Sequence, residues 1–242
     1  MFKFIKNIMN NKDLNLTNDL DSVHRILKTN IKKNPSPQED EIICGCGCFW
    51  GTEKCFWKLP GVVTTSVGYA GGKKNDPTYY EVCSGLTGHS EVVRVIWNKS
   101  EIDISDLLKM FWECHDPTQE NRQGNDIGTQ YRSAIYFKNE NNKNTIFSSK
   151  EHYQNELNKK GLGLIKTEIK MVDTYCFAEQ YHQQYLASHG SRQYCSASPT
   201  KVKLKDFAGS NYKLKDNVWQ NFDWEVDKCV LRSDNNPIKN YN

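Results

Sequence analysis

The segment Gly47-Cys48-Phe49-Trp50-Gly51 sets one thiol and two large aromatics between two glycines. Upstream, Ile42-Ile43-Cys44-Gly45-Cys46 reads as a short buried strand, and downstream a helix begins at Cys48 or Phe49 and stops before Pro60. A cysteine at such a junction lies at the positive end of a helix dipole. That position is expected to lower its pKa from about 8.5 and favour the nucleophilic thiolate. The flanking glycines permit a tight turn and the close approach of another molecule. Phe49 and Trp50 would wall in a small apolar group. A lone cysteine among aromatics is more often core, so it is the glycine bracket that points to chemistry.

The elements that must hold this segment alternate along the chain. Strands are predicted over 62–69, 92–97, 133–137 and 165–172, and helices over 105–114, 140–160 and 179–188. Residues 115–129 form a long polar stretch with almost no apolar content, the usual composition of a functional loop. The pattern predicts one mixed α/β (α+β) catalytic domain over 39–190. An Asn/Lys-rich extension, 1–38, is expected to be poorly ordered apart from an amphipathic helix over 20–31. A tail, 191–242, carries Phe207, Tyr212, Trp219, Phe222 and Trp224, aromatics that a free linker would lack and that are expected to dock it.

The 242 residues carry a net charge of +3, but seven Lys/Arg against three Asp within 1–34 account for more than that excess. The body is near neutral, so no nucleic-acid partner is expected. No apolar run approaches the ~18 residues of a membrane span. Nine cysteines, an odd number, without a secretory leader point to a reducing compartment, and the cytoplasm is expected.

The sequence is similar to peptide methionine sulfoxide reductases of the A type. Matching motifs are Gly47–Gly51, Leu59-Pro60-Gly61-Val62, Gly68-Tyr69-Ala70-Gly71-Gly72, Pro77-Thr78-Tyr79 and Glu81-Val82-Cys83-Ser84-Gly85. They continue through Thr87-Gly88-His89-Ser90-Glu91-Val92-Val93, His115-Asp116-Pro117-Thr118, Gln123 to Ser133 and His182-Gln183-Gln184-Tyr185-Leu186, in the family's order across 41–195. The resemblance implies a two-layer sandwich with a ferredoxin-like core. It implies reduction of methionine S-sulfoxide, free or in proteins, as repair after oxidative stress. No bound cofactor is implied, thioredoxin or another dithiol is the reductant, and a monomer is expected. By the same resemblance Cys48 is the nucleophile, Glu91 the acid that protonates the sulfoxide oxygen, and Tyr79 and Tyr131 the phenols that hold that oxygen. Phe49 and Trp50 hold the substrate methyl, and Asp126 lines the pocket.

Physical chemistry is compatible with these roles. A sulfoxide oxygen leaves only when protonated, and the apolar strand after Glu91 could bury its carboxyl and raise it from about 4.3. A strand-end Glu facing water, two ordinary half-buried tyrosines and an Asp in a turn are the plain alternatives. His89 and His115 are expected to bond backbone and not to act as bases. A sulfenic acid on Cys48 needs a resolving thiol, and Cys195 stands close to the family's position for it. In many relatives a second recycling cysteine follows a short Gly-rich stretch later. Here the next is Cys229, a second relay thiol if the tail folds back and a plain tail thiol otherwise. Cys55, Cys83, Cys114 and Cys176 are expected to be structural. Cys44 and Cys46 complete Cys-x-Cys-x-Cys with Cys48, but no second pair at zinc-site spacing follows, so no metal is expected. Cys46 is expected to point to the other side of the chain from its neighbours, or into the turn. A reductase lacking normal recycling, a Cys-rich metal or redox-sensing module and a cysteine hydrolase are the other classes. The last needs a Cys–His pair.

Overall fold

Strict alternation along β1 (Glu39–Cys46) sends Ile42, Cys44 and Cys46 to one face and Ile43 to the other. The computed structural model in which this is seen describes residues 21–226 and 229–239. From β1 the chain passes through α1 (Phe49–Trp57), β2 (Val62–Ala70), the short α2 (Tyr79–Cys83), β3 (Ser90–Asn98) and α3 (Ile104–Glu113). A small hairpin, β4 (Arg122–Gln123) and β5 (Asp126–Ile127), precedes β6 (Ser133–Phe137), α4 (Lys143–Lys159), β7 (Glu168–Met171) and β8 (Cys176–Phe177). Two short helices, α5 (Asp216–Trp219) and α6 (Cys229–Arg232), lie in the tail.

The main sheet has the order β7-β6-β1-β3-β2-β8, antiparallel except for β6 with β7. Its central part, β1-α1-β2-β3-α3-β6 with spatial order β6-β1-β3-β2, is the ferredoxin-like unit that the family resemblance implies. One sheet face packs on α1, α3 and α4 around Val67, Val93, Val95, Phe56, Leu107, Phe111 and Tyr153. Asp103 caps α3 and forms a reciprocal capping box with Asp106, which fixes where that helix starts.

Three expectations are corrected. The segment 21–38 is docked: His24 and Ile31 are buried, Thr29 Oγ1 donates to Val63 O at the edge of β2, and Arg94 donates to Ile31 O and Lys33 O. Residues 1–20 of the extension lie outside the described residues. No helix forms over 21–31. His24 Nδ1 accepts from the Ile26 and Leu27 amides, closing a turn that a Val23–Asn30 bridge completes. The helix expected over 179–188 is two 3-10 turns, Gln180–His182 and Tyr185–Ala187, broken at Gln184 with φ 47°. Tertiary bonds override the helical spacing. The Gln183 amide pairs with Val67 N and O, while Gln184 N and Nε2 both donate to the Glu53 carboxylate.

The tail runs back along α3 and α4. Asp106 accepts from Lys213 N and Leu214 N, Glu113 from Leu204 N, and Tyr153 OH donates to Val202 O. Phe207, Phe222 and Trp224 are buried and the last two stack, while Tyr212 and Trp219 are half-buried. Beyond them α6 packs on α1. Ser233 O and Asn235 O accept from Lys54 Nζ and Trp57 Nε1, and Ile238 N donates to Lys58 O.

Candidate active site

β1 ends at Cys46, Gly47 turns the chain with φ 88°, and Cys48 is the N-cap of α1. A Cβ at Gly47 would lie 2.5 Å from Gln123 Cβ, so the turn needs glycine for its space as well as its φ. Gly51, one turn into α1, has a different use. A Cβ there would lie 2.5 Å from Cys195 Sγ. The second glycine of the bracket is therefore the seat of the second thiol. The neighbouring Ser196 Oγ accepts from Cys48 N at 3.4 Å. Cys195 is buried in its seat, already packed against the first turn of α1.

Glu91, the second residue of β3, is buried opposite Tyr69 on β2. Its Oε2 accepts from Phe49 N at 3.2 Å. Burial raises its carboxyl to about 8, outweighing that hydrogen bond, and Asp126 and Glu179 add to the rise. The acid is therefore mostly protonated at pH 7. Burial also pushes the Cys48 thiol well above its ordinary value, with Glu91 and Asp126 adding to the rise and the Trp50 amide opposing it. This corrects the expected thiolate: the helix N-terminus contributes, but desolvation is larger.

Tyr79 is the first residue of α2, fixed by the Thr78–Glu81 capping box and by a 2.8 Å bond from its amide to Glu179 Oε1. Tyr131 closes a 3-10 turn before β6. Burial and Glu91 raise both phenols, so each keeps its proton. With Cys83, Asp126, Arg192 and Tyr194 they line a cavity of about 580 Å³. Cys48 lies behind this lining, close enough for Glu91, Asp126 and Cys195 to act on its thiol. Phe49 is buried against His182 and Tyr69, and Trp50 stacks on Tyr185 at 3.8 Å and donates from Nε1 to His182 Nδ1. Asp126 Oδ1 accepts from Tyr194 OH at 2.7 Å, while its buried Oδ2 has no partner among the described residues.

The structure thus gathers Cys48, Glu91, Tyr79, Tyr131, Phe49, Trp50, Asp126 and Cys195. Cys229 begins α6, on the flank of α1. His89 Nε2 meets Lys74 O and His115 Nδ1 meets Phe111 O, as expected of backbone-bonded histidines. Sequence reasoning gave no role to Glu179, His182 or Tyr194. Glu179 ties Tyr79 to the Tyr69 hydroxyl, and His182 orients Trp50. His182 lies within the His-Gln-Gln-Tyr-Leu motif and Tyr194 adjoins Cys195, and those neighbours were the available signals. Cys46 faces the same side as Cys44, into the core and not away from it, because strand alternation holds to the end of β1.

A protonated acid beside a buried thiol, two phenols around one cavity and a second thiol seated on the same helix define a thiol-dependent oxidoreductase. The family model described as peptide methionine sulfoxide reductase matches residues 40–215. The chain is 54% identical over 164 residues to the peptide methionine sulfoxide reductase MsrA of Azotobacter vinelandii, covering 68% of this chain and 76% of that one. To the MsrA of Vibrio cholerae it is 49% identical over 183 residues, covering 76% and 86%. Methionine sulfoxide reductase A of Corynebacterium diphtheriae superposes with a TM-score of 0.64 at 38% identity, covering 78% of this chain and 98% of that one. The chain belongs to the peptide methionine sulfoxide reductase family, A type.

Proposed function

We propose that the chain reduces the S epimer of methionine sulfoxide, in proteins or free, by attack of Cys48 on the sulfoxide sulfur. The observation that carries this reading is the Glu91 carboxyl, buried and protonated at pH 7 beside the thiol. Tyr79 and Tyr131 donate to the sulfoxide oxygen. Phe49 and Trp50 take the methyl group, and Asp126 Oδ2 accepts from the substrate backbone. Glu91 gives its proton to the oxygen and receives the proton of the Cys48 thiol as the sulfur bond forms. The balance is Cys48–SH plus sulfoxide giving Cys48–SOH plus thioether, so the substrate gains the two electrons the cysteine loses.

Cys195 then displaces water from the sulfenic acid to form Cys48–Cys195, and its packing on Gly51 supports that step. Cys229 attacks Cys195, regenerating the Cys48 thiol and leaving Cys195–Cys229 for an external dithiol of the thioredoxin kind. Support for this relay is that α6 is held on α1 by the folded-back tail. One equivalent of each resolved sulfoxide epimer, without reductant, followed by disulfide mapping, is the test. Turnover of the S epimer with Cys195–Cys229 accumulating is expected. Cys229 staying reduced while Cys48–Cys195 accumulates removes the relay, and equal reduction of the R epimer removes the stereochemical reading.

A further inference from the structure

Beneath the active-site turn lies a second group of thiols that the reaction does not use. Cys46 ends β1, Cys55 sits in the last turns of α1, and Cys114 caps the C-terminus of α3, followed at once by His115. The side chains of all four are buried. Cys46 Sγ, Cys114 Sγ and a ring nitrogen of His115 lie within 4.8 Å of one another. The Cys114 thiol donates to Phe111 O and interacts with both the Cys46 and the Cys55 thiols. Two sulfurs and one imidazole thus converge from two points of the chain, two residues from the nucleophile, and a third sulfur, Cys55, adjoins them through Cys114.

We infer that this Cys46–Cys55–Cys114–His115 cluster is a structural site for a thiophilic d10 cation, Zn2+ or Cu+. This runs against the expectation from sequence. There, only pairs at zinc-finger spacing counted, and Cys46, Cys55 and Cys114 are separated by a helix and a whole βαβ stretch. The donor set itself suits such an ion: Cys3His is a common closed zinc site, with Zn–S at about 2.3 Å and Zn–N at about 2.0 Å. Soft thiolates also select Cu+. A tetrahedron of those bond lengths sets its donors about 3.5–3.8 Å apart, so Cys46, Cys114 and His115 need close in by no more than about 1 Å, and Cys55, which lies outside their 4.8 Å group, is the donor that must move in to complete the set.

The outer contacts needed by a metal-bound histidine are present. His115 meets Phe111 O through Nδ1 and Ser133 Oγ through Nε2, both at 2.7 Å. Whichever nitrogen turns to the metal, the other keeps a partner that fixes the ring. Ser133 Oγ has Thr167 Oγ1 at 2.8 Å and is not stranded by the exchange. Filling the site converts three thiols to thiolates, releases three protons, and leaves ZnS3N with one negative charge, or the Cu+ form with two. Metal uptake at such a site is therefore coupled to proton release. The ion enters as the chain folds, because the cluster has no opening to solvent.

The test is to fold the full chain under strong reduction with Zn2+ or with Cu+, desalt it, and count metal per chain by elemental analysis. One ion per chain is expected, and equally in the Cys48→Ser/Cys195→Ser/Cys229→Ser triple variant. Loading the same proteins with Co2+ is expected to give sulfur-to-cobalt charge-transfer absorption and tetrahedral visible bands. Cys114→Ala, checked for folding by far-UV circular dichroism and a cooperative thermal melt, is expected to lose the ion. Substoichiometric metal with both cations overturns the proposal. So does metal lost from the triple variant, which would locate it on the redox thiols, or metal retained by folded Cys114→Ala. The outcome is independent of the reaction sequence above, since no arm reads turnover as its result.

Discussion

Cys48 and Cys114 are both buried thiols at the end of a helix, and both lie far above the ordinary thiol range. Their helix ends are opposite: Cys48 precedes the first turn of α1, and Cys114 follows the last turn of α3. The dipole should favour a thiolate at the first and oppose it at the second, yet both stay thiols, Cys48 chiefly through desolvation and Cys114 chiefly through its contact with Cys46, with burial adding. What separates them is company. Cys48 stands behind a cavity with a protonated Glu91, two phenols and an orphaned Asp126 oxygen, whereas Cys114 meets two more thiols and the Phe111 carbonyl. Reactivity here comes from a poised proton donor and an entrance, and not from an acidic thiol at rest.

The sharpest way to break that contrast is to remove one sulfur from each region. Cys48→Ser is expected to show no methionine sulfoxide reduction above background, because a serine hydroxyl stays protonated and is a poor nucleophile. Cys46→Ser is expected to retain activity and lose stability by about 1–3 kcal/mol for its buried hydroxyl. Turnover assays and denaturant melts of the two variants decide it, and equal loss of turnover would erase the distinction.

The proton donor is next. Glu91→Gln is expected to slow the single-turnover step by on the order of 10²–10⁴. Because the folded carboxyl titrates near 8, above the ordinary carboxyl value of 4.5, the wild-type single-turnover rate should be full below that pH and decline as pH rises through it. The variant should lack that limb. A wild-type profile flat from pH 6 to about 9 would show that another group protonates the oxygen.

Gly51→Ala probes the seat of the second thiol. Its Cβ would overlap Cys195 Sγ, displacing the resolving thiol by roughly 1 Å, a shift able to cost on the order of 10²-fold in the step that uses it. Multiple turnover should fall and a sulfenic acid accumulate, while the first turnover changes less. Trapping with a dimedone-type reagent reads the accumulation directly. The smallest expected effect on chemistry lies in the tail. Trp224→Ala removes a buried, stacked ring and should destabilise the fold by about 3 kcal/mol. First-turnover rate should survive at low temperature and recycling should weaken. An unaltered rate of Cys195–Cys229 formation would separate the tail anchors from the relay.

Much of the central architecture was legible in the sequence. The apolar run Val92–Trp97 and the spacing of Leu107, Leu108, Phe111 and Trp112 predict β3 and α3 because burial on one face dictates their period. The site residues were legible through motifs and not through physics: nothing in the period of β3 tells that Glu91 turns inward beside Phe49 N. The 179–188 segment was misread because its polar residues sit at helical spacing, whereas Gln183 and Gln184 spend their amides on Val67 and Glu53. The docked 21–38 segment was misread because a polar composition hides one buried His24, bonded to Thr65. The thiolate expected at Cys48 failed for want of one quantity, burial, that a linear sequence does not display.

The sheet's two borders have a consequence for an enzyme that handles damaged chains. Oxidised, partly unfolded polypeptides present strands seeking an open border, and an unpaired one invites runaway addition. Along β2 much of the outer side is taken up: Thr29 bonds Val63, the Gln183 amide imitates a missing strand at Val67, and β8 pairs with Gly68 and Tyr69. The far border, β7, is only four residues long and carries Glu168 and Lys170. A strand arriving from outside therefore finds little backbone to zip onto at either border.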